Sequence, residues 1–145
     1  MQQVERLNSI LEKASILLKD SDDRFFEQYK LGKTRYFALF HLHQNPGLLP
    51  SELSQRLLCT RGNTTRLLRS LESEGYLSRQ TDGSDRRAQL LFLTAAGEAL
   101  YAESALAYTR FLNRRFSSLA GGDILILTNQ LEKLIRSMEA ELSAS

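Results

Sequence analysis

Residues 50–93 have the sequence PSELSQRLLCTRGNTTRLLRSLESEGYLSRQTDGSDRRAQLLFL, and this stretch decides the fold of the 145-residue chain. It contains two short helical patterns, then Gly75, then two strand-like runs on either side of an arginine-containing turn. A helix pair followed by a hairpin is the arrangement of a winged helix-turn-helix, in which one helix faces the DNA major groove. The stretch therefore predicts a mainly α-helical fold with a small β-hairpin wing.

The second helix of the pair is predicted to begin near Thr60 and to end at Gly75. A threonine hydroxyl suits capping of the first-turn amides, and glycine tolerates the left-handed conformation that often ends a helix. The i, i+3, i+4, i+7 spacing of one buried helical face is followed by Thr64, Leu67, Leu68 and Leu71.

The opposite face of this helix is small near its start and cationic further along. It lies two positions back, which is about 200° around an α-helix, and consists of Gly62, Thr65, Arg66 and Arg69. Small side chains allow close approach to base edges, and guanidinium groups reach phosphates or a guanine. The residues predicted to contact DNA from this helix are Thr60, Arg61, Gly62, Asn63, Thr65, Arg66 and Arg69. A solvated arginine face is the alternative for any one arginine.

Two strands are predicted at residues 77–80 and 89–93, with a basic turn between them. Arg86 and Arg87 in that turn suit the narrow minor groove, whose negative potential attracts guanidinium groups. Asp85 is close enough in sequence to orient Arg87 by a charge-assisted hydrogen bond. The alternative is an ordinary exposed turn, since surface ion pairs contribute little.

The segments LPSELSQRL, TRGNTTRLLRSLESEGYLSR and DGSDRRAQLLFLTAAG, in this order, resemble the multiple-antibiotic-resistance regulator (MarR) family of bacterial transcription factors. The resemblance is densest over residues 31–97. It implies that residues 60–69 form the recognition helix and that Asp85 and Arg87 are the orienting aspartate and groove-contacting arginine of the wing. It also implies a two-fold, all-helical dimer interface and repression that an aromatic or phenolic effector, or cysteine oxidation, relieves.

Leu58 departs from the family pattern, because many members have glycine in the turn between the two helices. Glycine there relieves a left-handed backbone. Leu58 therefore predicts either local strain or a different turn.

The composition fits one structural unit per protomer in the cytoplasm. The chain is 42% hydrophobic with a net charge of +2, which is too mild to identify a nucleic-acid binder by charge alone. It has no apolar run long enough for a membrane span and no secretory signal pattern at its start. A single cysteine excludes an intramolecular disulfide and fits a reducing compartment.

The segments on either side of the winged helix-turn-helix predict helical arms. Residues 1–33 and 94–145 are assigned to dimerisation and residues 34–93 to DNA binding. Thr94 is expected to cap a helix running toward Leu119; Gly121 and Gly122 should interrupt it, and Asp123 should cap the last helix. Narrow apolar seams are formed by Val4, Leu7, Leu11, Ala14 and Leu18, and by Ile124, Leu127, Leu131, Leu134 and Met138. Packing between two protomers would cover these seams and predicts an inverted-repeat operator; packing within one chain is the alternative.

Cations and aromatic residues occur together near the start of the helix before the pair, as expected for a site that takes a small aromatic or anionic effector. The candidates are Lys33, Arg35, Tyr36, Phe37 and Phe40. The alternative is that the aromatic residues are core and the cations are solvated. Cys59, just before the recognition helix, is expected to be buried and inert, with oxidation sensing as the alternative.

Catalysis, metal binding and cofactor binding have little support in the sequence. His41 and His43 are two positions apart on a predicted helix and do not share a face. No phosphate-binding glycine loop follows a strand, and Asp82 and Asp85 lack the other ligands of a calcium loop. The expected partners are double-stranded DNA and a second copy of the chain, with a protein-interaction module on a dimeric scaffold as the competing function.

Overall fold

The computed structural model describes residues 2–85 and 87–144. The elements along the chain are α1 (Gln3–Glu27), α2 (Lys33–Gln44), α3 (Pro50–Leu57), α4 (Arg61–Ser73), β1 (Leu77–Thr81), β2 (Gln89–Leu93), α5 (Ala95–Arg115) and α6 (Gly121–Ala144). The two strands pair antiparallel, with Leu77 opposite Leu93 and Thr81 opposite Gln89. These elements confirm the predicted helical fold with a hairpin wing.

The chain divides into two compact units, one through Leu106 and the other from Ala107. In the first unit, apolar side chains from α1 to α4 and from β2 meet in one core. Its fully buried members include Phe26, Leu39, Leu42, Leu53, Leu68, Leu71 and Leu91. The three-part division at residues 33/34 and 93/94 stays a prediction. Over the described residues, no helix has the length and apolarity needed to cross a membrane.

The hairpin is attached to the helical part of the first unit by the segment that precedes α3. The Gly47 amide donates to the Leu91 carbonyl at 2.8 Å, and the Leu91 amide donates to the Leu48 carbonyl at 2.9 Å. Leu48 and Leu91 form an antiparallel bridge, and both side chains are buried. Strand β2 of the wing is therefore held next to the start of α3.

Gly75 and Thr94 join the end of α4 to the start of α5. Gly75 has φ +83°, which confirms the left-handed termination. The Thr94 hydroxyl donates to the Gly75 carbonyl at 2.6 Å and accepts from the Gly97 amide at 3.1 Å, so the predicted cap on α5 is confirmed. A Cβ at Gly97 would lie 2.2 Å from the Tyr76 carbonyl oxygen, so this close approach requires glycine.

Two predicted boundaries near the C-terminus were wrong. Helix α5 ends at Arg115 rather than near Leu119, and α6 begins at Gly121. The Ile124 amide donates to the Ala120 carbonyl at 3.0 Å, which carries the helical hydrogen bonds back across the glycine pair. Asp123 consequently lies inside the first turn of α6, where a carboxylate interacts favourably with the helix dipole.

Leu58 directly follows α3 and adopts the left-handed conformation, with φ 54° and ψ 36°. Its side chain is 93% exposed, so no packing compensates for the backbone geometry. For an L-residue with a Cβ this conformation costs about 1–2 kcal/mol. The strain expected from the departure at Leu58 is therefore present.

Leu58→Gly should raise the free energy of unfolding by about 1 kcal/mol, because glycine adopts the left-handed conformation without strain. The greater conformational entropy of glycine in the unfolded chain offsets part of this stabilisation. Denaturant unfolding measures the change. Leu58→Ala is the matched control, since it truncates the exposed side chain but keeps a Cβ, and it should be nearly neutral. A stabilisation by Leu58→Ala as large as that by Leu58→Gly would assign the effect to the side chain instead.

Candidate DNA-binding surface

The start of α4 is fixed by Thr60, which has an extended backbone (φ −70°, ψ 157°). Its side-chain oxygen accepts from the Asn63 amide at 3.2 Å, confirming the predicted cap. The Thr65 hydroxyl donates to the Arg61 carbonyl at 2.8 Å. The first turn of α4 is thereby held together by its own side chains.

A buried hydrogen bond joins α3 to α4. The Ser54 hydroxyl donates to the Thr64 hydroxyl oxygen at 2.7 Å, and Thr64 donates to the Thr60 carbonyl at 3.0 Å. Ser54 and Thr64 are 7% and 1% exposed, so both hydroxyls are shielded from water. This chain of hydrogen bonds fixes α4 relative to α3 and ends at the residue that caps α4. The helical spacing placed Thr64 on the buried face, but it gave no signal for its partner Ser54.

The outward face of α4 has the composition that the sequence predicted. The exposed residues of this helix and its cap include Thr60, Arg61, Gly62, Asn63, Thr65, Arg66 and Arg69. A Cβ at Gly62 would have no atom within 4 Å, so the helix surface is open there. A cleft of about 370 Å³ runs beside this face between the starts of α3 and α4, lined in part by Ser51, Arg61 and Thr65.

Asn63 contacts the guanidinium group of Arg66 through its side-chain oxygen. The two residues are three positions apart and therefore neighbours on the helix surface. Asn63 thus has two roles, since its backbone amide is capped by Thr60 and its side chain orients Arg66. Both residues belong to the predicted site, but no pattern in the sequence indicated that their side chains pair.

The wing turn is organised by two aspartates. Asp82 accepts from the Ser84 amide at 3.1 Å, and Asp85 accepts from the Arg87 amide at 2.9 Å. Asp85 therefore accepts from the main chain of Arg87 and positions the turn, whereas the sequence predicted a contact with the guanidinium group. Arg87 is exposed. Arg86, also predicted to contact DNA, lies outside the described residues.

Ion pairs hold the C-terminal part of α4 to two other elements. Glu72 pairs with Arg79 on β1 at 3.2 Å. Glu74, which follows α4, pairs with Arg35 on α2. Acidic residues at the C-terminal end of a helix interact unfavourably with its dipole. The ion pairs with Arg79 and Arg35 offset this cost. Both glutamates are thereby paired with arginines that lie outside α4.

The five predicted effector residues do not form one site. Lys33, Phe37 and Phe40 line a cleft of about 390 Å³ that His41 and Arg56 also line. Tyr36 is 5% exposed and belongs to the core. Arg35 lines a different cleft near the end of α4. Tyr36 and Arg35 therefore do not line the cleft beside Phe37, because neighbours in a helical sequence point in different directions.

Cys59 is half-buried, and its sulfur lies 3.6 Å from the Leu57 carbonyl oxygen. Full burial was expected. Cys59 follows the left-handed Leu58 in the turn between α3 and α4, outside the helical faces that form the core.

The model of the MarR family matches residues 31–88 of this chain. Among curated proteins, the chain is similar to the HTH-type transcriptional regulator PapX of Escherichia coli, with 33% identity over 104 residues, 70% of this chain and 63% of PapX. It therefore spans less than two thirds of that relative. The transcriptional repressor MprA of Escherichia coli K12 is 28% identical over 127 residues, 86% of this chain and 70% of MprA. These relatives are regulators rather than enzymes, in agreement with the expectation of no catalytic activity.

Solved structures agree with this assignment. The transcriptional repressor CouR, bound to a 23-mer DNA duplex, has a TM-score of 0.80 and 27% identity, with 89% of this chain and 92% of CouR covered. A MarR transcriptional regulator from Methanosarcina mazei Go1 has a TM-score of 0.78 and 26% identity, with 94% and 98% covered. The fold of this chain is therefore that of winged-helix transcriptional regulators.

Thr64→Val should lower the free energy of unfolding by about 1–3 kcal/mol, because it leaves the buried Ser54 hydroxyl without its acceptor. Urea unfolding measures the loss. Thr65→Val is the matched control: its hydroxyl bonds only the helix backbone at the surface, so the change should be small. The double variant Ser54→Ala, Thr64→Val should recover part of the loss. Additive losses from Ser54→Ala and Thr64→Val would contradict a coupling through this hydrogen bond.

Proposed function

This chain belongs to the MarR family, and on that premise we propose that it is a sequence-specific regulator of transcription that binds double-stranded DNA. The observation that carries the proposal is the outward face of α4. It is small at Gly62 and Thr65, cationic at Arg66 and Arg69, and exposed at all four of these positions. A helix with this face can enter the major groove, where arginine recognises guanine edges and phosphates.

The wing adds a second contact with DNA in this proposal. Arg87 is exposed on a turn whose backbone Asp85 holds at 2.9 Å. A guanidinium group on an ordered turn suits the narrow minor groove beside the site read by α4. Arg86 is included in the contact on the sequence pattern alone. Contact with genomic DNA implies a cytoplasmic location.

A homodimer is the proposed form that binds DNA. Helix α1 exposes Val4 at 69% and Leu7 at 53%, and α6 exposes Leu125 at 63% and Leu142 at 76%. These helices therefore present apolar side chains that their own units leave uncovered. Exposed apolar surface of this extent marks an association site. A two-fold dimer carries two recognition helices and reads an inverted repeat with half-sites about one helical turn apart.

Repression relieved by a small aromatic anion is the proposed mode of regulation. The cleft beside α2 supports it, because Phe37 and Phe40 supply apolar walls and Arg56 supplies positive charge, while Lys33 on the same cleft is paired with Asp22 at 2.9 Å. Its volume of about 390 Å³ lies at the lower end of the range for small-molecule sites. The cleft is lined by residues of α2 and α3. A ligand bound there therefore contacts α3, the helix that is hydrogen-bonded to α4.

A protein-interaction module is the competing function. The outward face of α4 favours DNA, because its exposed positions are polar or cationic, whereas a helix that docks in a protein groove presents an apolar face. The salt dependence of binding separates the two functions. Engagement of several phosphates makes DNA affinity fall steeply with salt.

Selection from random double-stranded DNA should enrich an inverted repeat. The double variant Arg66→Ala, Arg69→Ala should lose the enrichment, because it removes the cationic part of the outward face of α4. Arg66→Ala alone should remove discrimination at one base pair, worth about 1–3 kcal/mol if the contact is bidentate. Sequencing of the selected pool and affinity measurements on single-base variants give both results.

The matched control is Arg110→Ala, Arg114→Ala, which removes the same charge from exposed positions on α5. It should enrich the same repeat as the unmodified protein. Equal loss of enrichment in both double variants would indicate that the lower net charge, and not the position of the arginines on α4, causes the loss. Failure of the folded, unmodified protein to enrich any sequence at low salt would favour the protein-interaction module.

His41 should make the protein less stable in mild acid. Burial, with a smaller contribution from the nearby Arg56, lowers the pKa of His41 below its ordinary value of 6.5. The unfolded chain therefore takes up a proton at this residue first as the pH falls below 6.5, which favours unfolding. Unfolding midpoints of the protein and of His41→Gln at pH 7.5 and 5.5 measure the effect. His41→Gln should lose less stability on acidification, and an unchanged loss would contradict the assignment.

A further inference from the structure

We propose that the ion pair between Glu72 and Arg79 positions the wing relative to α4 and thereby sets the preference for A·T-rich DNA beside the sequence that α4 reads. Glu72 lies in the last turn of α4, and Arg79 is the middle residue of β1. The Arg79 Nε donates to the Glu72 carboxylate at 3.2 Å. The contact thus joins the element proposed for the major groove to the element proposed for the minor groove. The preference for flanking DNA rests on the proposed function, whereas the position of the wing does not.

Arg79 lies on the face of the hairpin that packs against the helices. Alternate residues of a strand share a face, and so do directly paired residues of two neighbouring strands. Leu77, two positions before Arg79, is 3% exposed, and Leu91, its partner on β2, is 0% exposed. Thr81, the next residue of β1 on this face, is exposed. Arg79 therefore lies where the apolar packing of β1 ends and the projecting part of the wing begins.

The two strands of the wing are held to different helical segments at the same register. On β2, the main chain of Leu91 is hydrogen-bonded to residues 47–48, which lead into α3. On β1, directly opposite Leu91, Arg79 is bonded to Glu72 of α4. A hairpin attached along one strand can still twist about that strand. The contact of the other strand with α4 opposes this twist.

The turn of the wing, residues 82–88, moves together with the strands because it is hydrogen-bonded internally. The Asp82 amide donates to the Ala88 carbonyl at 3.0 Å, and the Ala88 amide donates to the Asp85 carbonyl at 3.1 Å. Beyond Arg79, two further residues of β1 lead to this turn, at about 3.3 Å each. A twist at Arg79 is therefore carried to Arg87, the residue proposed for the minor groove.

The exposure of the ion pair determines the size of its effect. The side chains of Glu72 and Arg79 are 43% and 25% exposed. An ion pair at this exposure shifts the equilibrium between two wing positions by about threefold. The narrow minor groove of A·T-rich DNA attracts a guanidinium group that is placed at the groove. Loss of the pair should therefore lower the affinity for A·T-rich flanks more than the affinity for G·C-rich flanks.

The first test uses the full chain without DNA and measures residual dipolar couplings of backbone amides, which report the orientation of the wing relative to α4. Glu72→Gln should reduce the couplings of the wing amides relative to those of α4, because the hairpin samples more orientations. Glu74→Gln is the matched control. It removes the same charge from the same end of α4, but from the pair with Arg35, and it should leave the wing couplings unchanged.

The second test measures affinity for two duplexes that share the selected inverted repeat and have either A·T-rich or G·C-rich flanks under the wing. Glu72→Gln should lower the ratio of the two affinities about threefold, and Glu74→Gln should not. Discrimination at the base pair read by Arg66 should be unchanged in both variants, whereas general unfolding would lower it. The exchange variant Glu72→Arg, Arg79→Glu should restore most of the ratio, because it pairs the same charges in the opposite sense.

Wing couplings in Glu72→Gln that equal those of the unmodified protein would overturn the proposal, as would an equal fall of the affinity ratio in Glu74→Gln. An exchange variant that regains the couplings but not the ratio would assign Arg79 a direct contact with DNA and would overturn its positioning role. Reduced couplings in Glu72→Gln, for a protein that selects no DNA sequence, would remove the proposed function and leave the control of the wing by this pair standing.

Discussion

The buried hydrogen bond between Ser54 and Thr64 is the constraint on which the placement of α4 and its outward face depends. It fixes two helices at a point shielded from water, where neither hydroxyl can exchange its partner for solvent. The Thr64 hydroxyl in turn donates to the carbonyl of Thr60, whose side chain caps the same helix. Orientation and start of α4 are therefore set by one connected group of hydroxyls, and the exposed arginines follow from that placement.

Charge is distributed along α4 in a way that the helix dipole alone would oppose. Arginines lie along its outward face, while Glu72 and Glu74 lie at its C-terminal end. Arg79 on β1 and Arg35 on α2 pair with these glutamates and offset their unfavourable interaction with the helix dipole. The same contacts attach α4 to the wing and to α2. The acidic end of α4 therefore serves as an attachment point, and its glutamates pair with arginines of other elements instead of those on the outward face.

Local sequence signals predicted those parts of the fold that depend on local physics. The Thr60 cap, the left-handed Gly75, the Thr94 cap and the strain at Leu58 each follow from a residue type at a defined position. Contacts between distant residues left no comparable signal, and so the Ser54 partner of Thr64 was missed. The glycine pair at residues 121–122 was misread because glycine marks a turn in the sequence but is also tolerated in a first helical turn.

Helix α2 connects the two clefts to the rest of the first unit. One cleft lies against Phe37 and the other against Arg35, on different sides of the same helix. Tyr36 on α2 stacks on Tyr101 of α5 at 5.9 Å between ring centroids, and His43 stacks on the same ring at 4.6 Å. His43 also contacts the Glu98 carboxylate at 2.7 Å. Because closely packed interiors transmit small displacements, a displacement of α2 on either side also reaches the start of α5. The side chains that line the two clefts are therefore mechanically coupled through one helix.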